Sequence, residues 1–221
     1  MSKQMKTLSI VIPCYNEETR VRETWMSMAE YLKTLPTVLS QVVFVNDWST
    51  DGTKRVLEGI KAEASIPVHI VDYGMNKGKW YAVKQWVEAN QADYYLIMDA
   101  DWATDIRELK KFLYMGEKYE MVIGSRTSEK AKRVRHKKIT WAISHLIISK
   151  TLGLNVKDTQ CGFKLFSDRV KHVWNEMKLD RWGFDFELLY LIKKHGYSVR
   201  EEAVVWKEME GSKVKAMDYI K

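Results

Sequence analysis

Asp99 and Asp101 stand two residues apart directly after the apolar run Tyr94-Tyr95-Leu96-Ile97-Met98. Carboxylates at that spacing can share one divalent cation where a strand loses its pleat. Hard cations such as Mg2+ take oxygen ligands and keep positions for water and substrate phosphates. A metal bridging a diphosphate neutralises the charge that develops as the bond to that diphosphate breaks. Two acids in a surface turn are also commonly just solvated, so the pair gains meaning only from its place in the chain. A second feature is electrostatic. Arg126–Lys138 holds seven basic residues against Glu129 alone, which is +6 of the chain's formal +7. One local patch on a near-neutral body points to an anionic partner at one place. Phosphate, an anionic membrane surface and nucleic acid all satisfy it, as does a merely solvated loop.

The elements that must position these residues follow from the hydropathy pattern. Short continuous apolar runs at Leu8–Ile12, Val42–Val45, Val68–Val71, Tyr94–Met98 and Met121–Gly124 read as buried strands. Between them lie helical patterns, the first with Val21, Trp25, Met28, Leu32 and Leu35 on one face. Others run over about Asp51–Ala64 and Lys79–Asn90, and through Ile106, Leu109, Phe112 and Leu113. Continuous apolar strands alternating with helices predict an α/β fold, a mostly parallel sheet covered on both faces. Ligands of such sheets bind beyond the carboxyl ends of the strands. The residues there are Pro13–Glu18, Asn46-Asp47, Asp72, Asp99-Ala100-Asp101 and Ser125-Arg126. Carboxylates thus recur along one edge.

The second half is less regular. Ile139, Ala142, Ile143, Leu146 and Ile147 form an apolar helical stripe directly after the basic run. A strand Gly162–Phe166, a helix near Asp168–Met177, a helix Asp185–Lys194 stopping at Gly196 and a strand Ala203–Trp206 follow. A chain of 221 residues without repeats or linkers is expected to form one domain, residues 1–221. No uncharged apolar run approaches the ~18 residues that span a bilayer. Leu8–Ile12 is cut short by Pro13 and does not read as a signal core. Cys14 and Cys161 are too few for a disulfide framework or a zinc site and read as packed thiols. A cytoplasmic location is the expectation.

Several segments resemble a known family. Ser9-Ile10-Val11-Ile12-Pro13-Cys14-Tyr15-Asn16-Glu17-Glu18 is similar to the opening strand and turn of family 2 glycosyltransferases of the GT-A fold, a three-layer α/β/α sandwich. Val45–Thr53, Asn76-Lys77-Gly78-Lys79 and the Asp99/Asp101 pair resemble its next signatures, in order and spacing. Gly124-Ser125-Arg126, Asp158–Phe166, Arg181–Leu189, Glu202–Trp206 and Glu210–Lys213 narrow the resemblance to polyprenyl-phosphate glycosyltransferases, above all the dolichyl-phosphate β-glucosyltransferase type.

The resemblance implies an inverting transfer of a hexose, glucose foremost, from a UDP-sugar such as UDP-glucose to a polyprenyl or dolichyl phosphate. By the same resemblance, Pro13, Tyr15, Glu17 and Asp47 would hold the nucleoside, flanked by Lys77 and Gly78. Asp99 and Asp101 would carry Mg2+ or Mn2+ and the diphosphate. Ser125, Arg126 and Arg133 would bind the acceptor phosphate, while Asp158, Gln160, Trp182 and Asp185 would border the sugar. Asp185 also has a plainer reading, as an acid in the first turn of its helix. Two rivals stand beside this one: a GT-A enzyme with a sugar hydroxyl acceptor, and a catalytically impaired sugar-nucleotide-binding protein.

Physical chemistry favours the phosphate acceptor. A phosphate monoester with a second pKa near ~6 is mostly a dianion at neutral pH and is already a nucleophile. It needs cationic positioning, for which the planar paired donors of arginine are suited. A hydroxyl acceptor would instead need a carboxylate base within reach. The basic run has no aromatic interleaving and no nucleic-acid motif accompanies it, so nucleic acid is not expected as a partner. Residues 126–152 are instead expected to form a basic loop and an amphipathic interfacial helix, peripheral on the inner face of the membrane.

The chain departs from the family pattern at Trp48, Trp80 and Trp86, where glycine is usual, and at Trp102, where glucosyltransferase-type members have glycine. Glycine there permits tight turns and close backbone approach, which a large indole cannot match. Our expectation is that these are UGA codons decoded as glycine in the source and rendered as tryptophan. Trp182 and Trp206 fall where the family itself has tryptophan. Ala103 replaces the glutamine of many mannosyl-type relatives, which suits the glucosyl type.

Overall fold

Strand β1 (Lys6–Cys14) is an interior strand of a seven-stranded sheet and divides its side chains between two cores. The structure is a computed structural model that describes residues 5–35, 38–74, 78–126, 131–132, 153, 156–179 and 183–207. In chain order β1 is followed by α1 (Val21–Lys33), β2 (Val38–Asn46), α2 (Thr53–Glu63), β3 (Val68–Asp72), α3 (Lys79–Ala89) and β4 (Tyr94–Ile97). A 3-10 turn (Ile106–Glu108) leads into α4 (Leu109–Gly116) and β5 (Met121–Ser125). The two-residue β6 (Ala131–Lys132), β7 (Lys164–Ser167), α5 (Val173–Glu176), α6 (Phe184–Lys194), β8 (Val199–Ala203) and β9 (Trp206–Lys207) complete the described elements.

Strand alternation explains the layers. Leu8, Ile10 and Ile12 pack with Trp25 and Met28 of α1, Leu57 and Ile60 of α2, and Phe112 of α4. Val11 faces the other way, with Val43 and Val45, toward Val83 and Val87 of α3 and Leu188 and Ile192 of α6. Each buried Leu, Ile or Val contributes about 1.5–3 kcal/mol relative to exposure. The three-layer α/β/α arrangement is therefore a direct consequence of strands apolar on both faces.

The sheet order is β3-β2-β1-β4-β7-β5-β8. All neighbours are parallel except β7, which runs antiparallel to both β4 and β5. That reversal matters for the site. Lys164, the first residue of β7, is in register with Ile97 of β4 and Ile123 of β5. The segment entering β7 therefore lies at the carboxyl ends of its two neighbours.

Three expectations are corrected. The strand expected at Gly162–Phe166 starts at Lys164, and Gly162 belongs to the turn before it. The helix expected near Asp168–Met177 is a 3-10 turn at Asp168–Val170 followed by the short α5. The strand expected at Ala203–Trp206 is two: β8 at the sheet edge and β9 paired with β6. Val199-Arg200-Glu201-Glu202-Ala203 has no apolar run because an edge strand is half solvated, so hydropathy does not mark it. The stripe Ile139–Leu152 lies outside the described residues. Among the described residues no helix is long and apolar enough to cross a membrane.

Candidate active site

The turns after β1 and β2 are laced together by side chains that bond to backbone. Asn16, at φ 54°, accepts from Thr50 N (2.7 Å) and donates its own N–H to Ser49 Oγ (2.9 Å). Glu17 N donates to Thr53 Oγ1 (2.7 Å), and the Glu18 carboxylate accepts from Gly52 N (2.9 Å). Asp, Asn, Ser and Thr bonding to nearby amides is what holds such turns away from helix and strand. Asp47 is buried beside them and accepts from Gly78 N (3.3 Å). Gly78 has φ 90°, a conformation open to glycine and strained for other residues. Pro13 is buried and Tyr15 exposed, while the Glu17 carboxylate receives Arg20 Nε (2.7 Å) and Nη2 (2.8 Å). The turns after β1 and β2 are thus tied together through Asn16, Glu17 and Glu18, and Asp47 joins Gly78, at the start of α3, to the turn after β2. Lys77 lies outside the described residues.

β4 ends at Ile97, and a turn follows at Ala100-Asp101. Asp99 and Asp101 are half-buried, with Ala100 buried between them. Trp102 sits at φ 60°, and Ala103 N donates to Asp101 Oδ1 (3.1 Å) across it. From beneath, the buried Thr24 hydroxyl of α1 donates to the Ala100 carbonyl (2.7 Å). From the side, Gly162 supplies a bare backbone: a Cβ there would lie 1.9 Å from Asp99 Oδ2. Two carboxylates on one turn, one in a glycine cradle, fit a hard cation. Among the described residues no group of three or more His, Cys, Asp or Glu side chains could hold a metal ion. A Mg2+ or Mn2+ at Asp99 and Asp101 would take its remaining ligands from substrate phosphate and water, as Mg2+ sites commonly do.

The segment before β7, which ends in the turn containing Gly162, forms the wall beside Asp99. Asp158, expected beside the sugar, is fully buried and accepts three bonds from Arg126: backbone N (2.8 Å), Nε (2.7 Å) and Nη2 (2.7 Å). Glu201 of β8 braces it by accepting from Lys157 N and Asp158 N, both at 2.9 Å. The Arg126 guanidinium lies 5.7 Å from the Trp206 ring centroid. Burial alone would lower its pKa; the Asp158 carboxylate, with the nearby Cys161 and Asp99, outweighs this and raises it. Burial pushes the Cys161 thiol up to about 11, with Asp158 adding to the rise and Arg126 and Lys164 opposing it. Ser125 is buried at the end of β5, and Gln160 is half-buried on the same wall.

Sequence reasoning missed Lys164. It is fully buried and its Nζ donates to Asp185 Oδ1 (2.6 Å), in the first turn of α6, and to the Cys161 carbonyl. The available signal was a lone cation inside the buried run Gly162-Phe163-Lys164-Leu165-Phe166. Asp185, expected beside the sugar, is thus held by a lysine of β7. Arg133 and Trp182 lie outside the described residues.

A family model described as glycosyl transferase family 2 matches residues 9–174. The chain belongs to that family. As a glycosyltransferase of GT-A fold it has relatives over nearly its whole length. It is 34% identical over 230 residues to dolichyl-phosphate beta-glucosyltransferase ALG5D of Trichomonas vaginalis, covering 97% of this chain and 70% of that one. It is 30% identical over 223 residues to the dolichyl-phosphate beta-glucosyltransferase of Dictyostelium discoideum, covering 94% and 68%. Among solved structures it is similar to the mannosyltransferase PcManGT of Pyrobaculum calidifontis, crystallised with GDP-Man and Mn2+. The TM-score there is 0.64 at 17% identity, covering 93% of this glycosyltransferase and 57% of that chain, a likeness of fold.

Proposed function

We propose that this glycosyltransferase transfers a glucosyl unit from UDP-glucose to dolichyl or another polyprenyl phosphate, with inversion at the anomeric carbon. The names of the relatives support the sugar and the acceptor, since they are dolichyl-phosphate beta-glucosyltransferases. The carrying observation is the Arg126–Asp158 fork, within electrostatic reach of Asp99. It supports a fixed guanidinium for an anionic acceptor beside the Asp99 and Asp101 carboxylates of the donor site.

An acceptor phosphate oxygen attacks the anomeric carbon, the bond from that carbon to the UDP oxygen breaks, and UDP leaves with the electron pair. The dianionic acceptor requires no proton removal. Pro13, Tyr15, Asp47, Lys77 and Gly78 hold the nucleoside in this reading, and Glu17 braces that turn through Arg20. Asp99 and Asp101 hold Mg2+ or Mn2+. When bound, the cation neutralises charge developing on the departing diphosphate. Arg126 meets the acceptor phosphate with its Nη1 edge, because Asp158 takes the edge formed by Nε and Nη2. Ser125 and Arg133 complete that subsite, with Gln160, Trp182 and Asp185 around the sugar. Residues 1–221 act as one domain, held peripherally at the cytoplasmic face of the membrane by the basic segment 126–152.

The test is transfer from radiolabelled UDP-glucose, other UDP-sugars and GDP-mannose, each supplied separately, into a lipid-extractable product with and without chelator. Label that appears only from GDP-mannose, or only in a hydroxyl-linked product, overturns the reading. One observation favours a second reading, a sugar-nucleotide-binding protein of impaired turnover. Trp48 and Trp102 occupy φ 59° and 60° on the two turns that flank the donor. UDP binding without transfer would establish it.

A further inference from the structure

Lysine is among the residues least often buried completely, yet Lys164 has no exposed surface. Its ion pair with Asp185 is almost as enclosed, at 0% and 12% side-chain exposure. Replacing such a buried pair by apolar side chains of similar volume is often neutral or stabilising. Stability alone is thus a poor account of it.

Its position supplies a better one. Lys164 is in register with Ile97 and Ile123, just ahead of the two strand ends that carry Asp99 and Arg126. Its Nζ spans the Cys161 carbonyl and the Asp185 carboxylate. Between Cys161 and Lys164 lies Gly162, the backbone against which the Asp99 carboxylate rests. The ammonium therefore clamps both the turn that cradles Asp99 and the start of α6.

We propose that Lys164 is a positioning residue for the donor: by tying the Cys161 carbonyl to Asp185 it fixes the Gly162 cradle, and with it the carboxylate that Asp99 offers to the cation and diphosphate. This rests on the sugar-nucleotide reading above. Lys164 touches no substrate and acts through Gly162 and Asp99. Its loss acts on metal-dependent nucleotide affinity and leaves metal-independent contacts with the nucleoside intact, because those come from the turns after β1 and β2.

The experiment compares the native chain with Lys164→Met, the double variant Lys164→Met/Asp185→Leu, and Lys164→Arg. UDP is titrated calorimetrically with and without Mn2+, and thermal unfolding is followed in parallel. Lys164→Met strands a buried carboxylate and unfolds at lower temperature; the double variant removes that charge and regains the lost stability. Supporting residues of metal ligands typically contribute about 10–100-fold in metal affinity, so the double variant should bind UDP, which carries no hexose for Asp185 to border, about tenfold more weakly in Mn2+ and equally in its absence. Lys164→Arg should restore part of the Mn2+-dependent affinity. A stable double variant that binds UDP with Mn2+ as tightly as the native chain overturns the proposal and leaves the sugar-nucleotide reading standing. A native chain with no Mn2+-dependent UDP affinity overturns that reading and the proposal with it.

Discussion

Arg126 and Asp158 meet edge to edge, with Nε to Oδ2 and Nη2 to Oδ1 both at 2.7 Å. A guanidinium gripped at two points cannot swing, so a phosphate meets it in one orientation. Arg126→Lys keeps the charge and loses the fork. With charged hydrogen bonds contributing ~1.5–3 kcal/mol, kcat/KM for lipid phosphate should fall by about 10–100-fold, while UDP affinity is unchanged in calorimetry. Asp158→Asn leaves a largely buried guanidinium without its anion. It should lower the unfolding free energy by about 3 kcal/mol in urea titrations. If the lysine variant transfers normally, the acceptor subsite lies elsewhere.

The turn carrying Asp99 and Asp101 is held by two contacts of different kinds, which can be separated. Gly162→Ala places a methyl group against the Asp99 carboxylate, where 1.9 Å would separate Cβ from Oδ2. Asp99 has to move, and Mn2+-dependent UDP affinity should fall about tenfold. Thr24→Val deletes the hydroxyl that donates to the Ala100 carbonyl. It should cost about 1 kcal/mol or somewhat more of stability with a smaller change in affinity, since the carboxylates keep their cradle. Equal effects of both variants on affinity would show that the whole turn, and not Asp99 alone, governs the metal.

The four tryptophans at glycine positions separate into two pairs. Trp48 and Trp102 have φ 59° and 60°, where a side chain is strained by about 1–2 kcal/mol. Trp80 is buried and stacks on Phe184 at 3.8 Å, and Trp86 Nε1 donates to Ser9 Oγ at 2.9 Å. Trp48→Gly and Trp102→Gly should each raise the unfolding free energy by about 1 kcal/mol and tighten UDP binding. Trp80→Gly should lower it by about 3–5 kcal/mol through the cavity it opens. Peptide mass spectrometry on protein from its source should read glycine at 48, 80, 86 and 102. UGG codons at all four positions would end the recoding explanation.

What the sequence disclosed is what hydropathy and local turn chemistry encode. β1, β2, β4 and β5 were visible because strands buried on both faces are apolar without interruption, as in Leu8–Ile12. Asp47, Asp99 and Asp101 were visible because parallel strands bring their ends to one edge. The reversal of β7 was not, since Lys164-Leu165-Phe166-Ser167 reads alike in either direction. For that reason Gly162 and Lys164 went unnoticed as neighbours of Asp99 and Asp185, which are distant in sequence. Arg126 was seen as a cation for phosphate, but its partner Asp158 is 32 residues away and only the fold pairs them.

Stability should fade on both sides of neutral pH, for opposite reasons. Burial would raise the Glu120 pKa, but the Ser198 hydroxyl and amide and the Arg169 guanidinium outweigh it and hold the carboxyl below its ordinary 4.5. A depressed carboxyl pKa gives stability that is present above the ordinary value and lost as pH falls through the native one. Asp105, lowered against its own burial by Arg107, acts in the same direction. Cys161 has the opposite sign. Its pKa rises from 9.0 to about 11 on burial, so its contribution is full below pH 9.0 and is lost as pH climbs toward 11. Tyr95, raised from 10.0 to about 12 mainly by burial, extends that loss upward. Urea midpoints measured across pH should therefore be flat between about 5 and 9 and fall at both ends. Glu120→Gln should shrink the acid limb, and Cys161→Ala the alkaline limb up to 11. Both cysteines are buried; the folded protein at pH 8 should react slowly with a thiol reagent and the denatured protein should titrate two thiols. An alkaline limb unchanged in Cys161→Ala would assign it to the tyrosines alone.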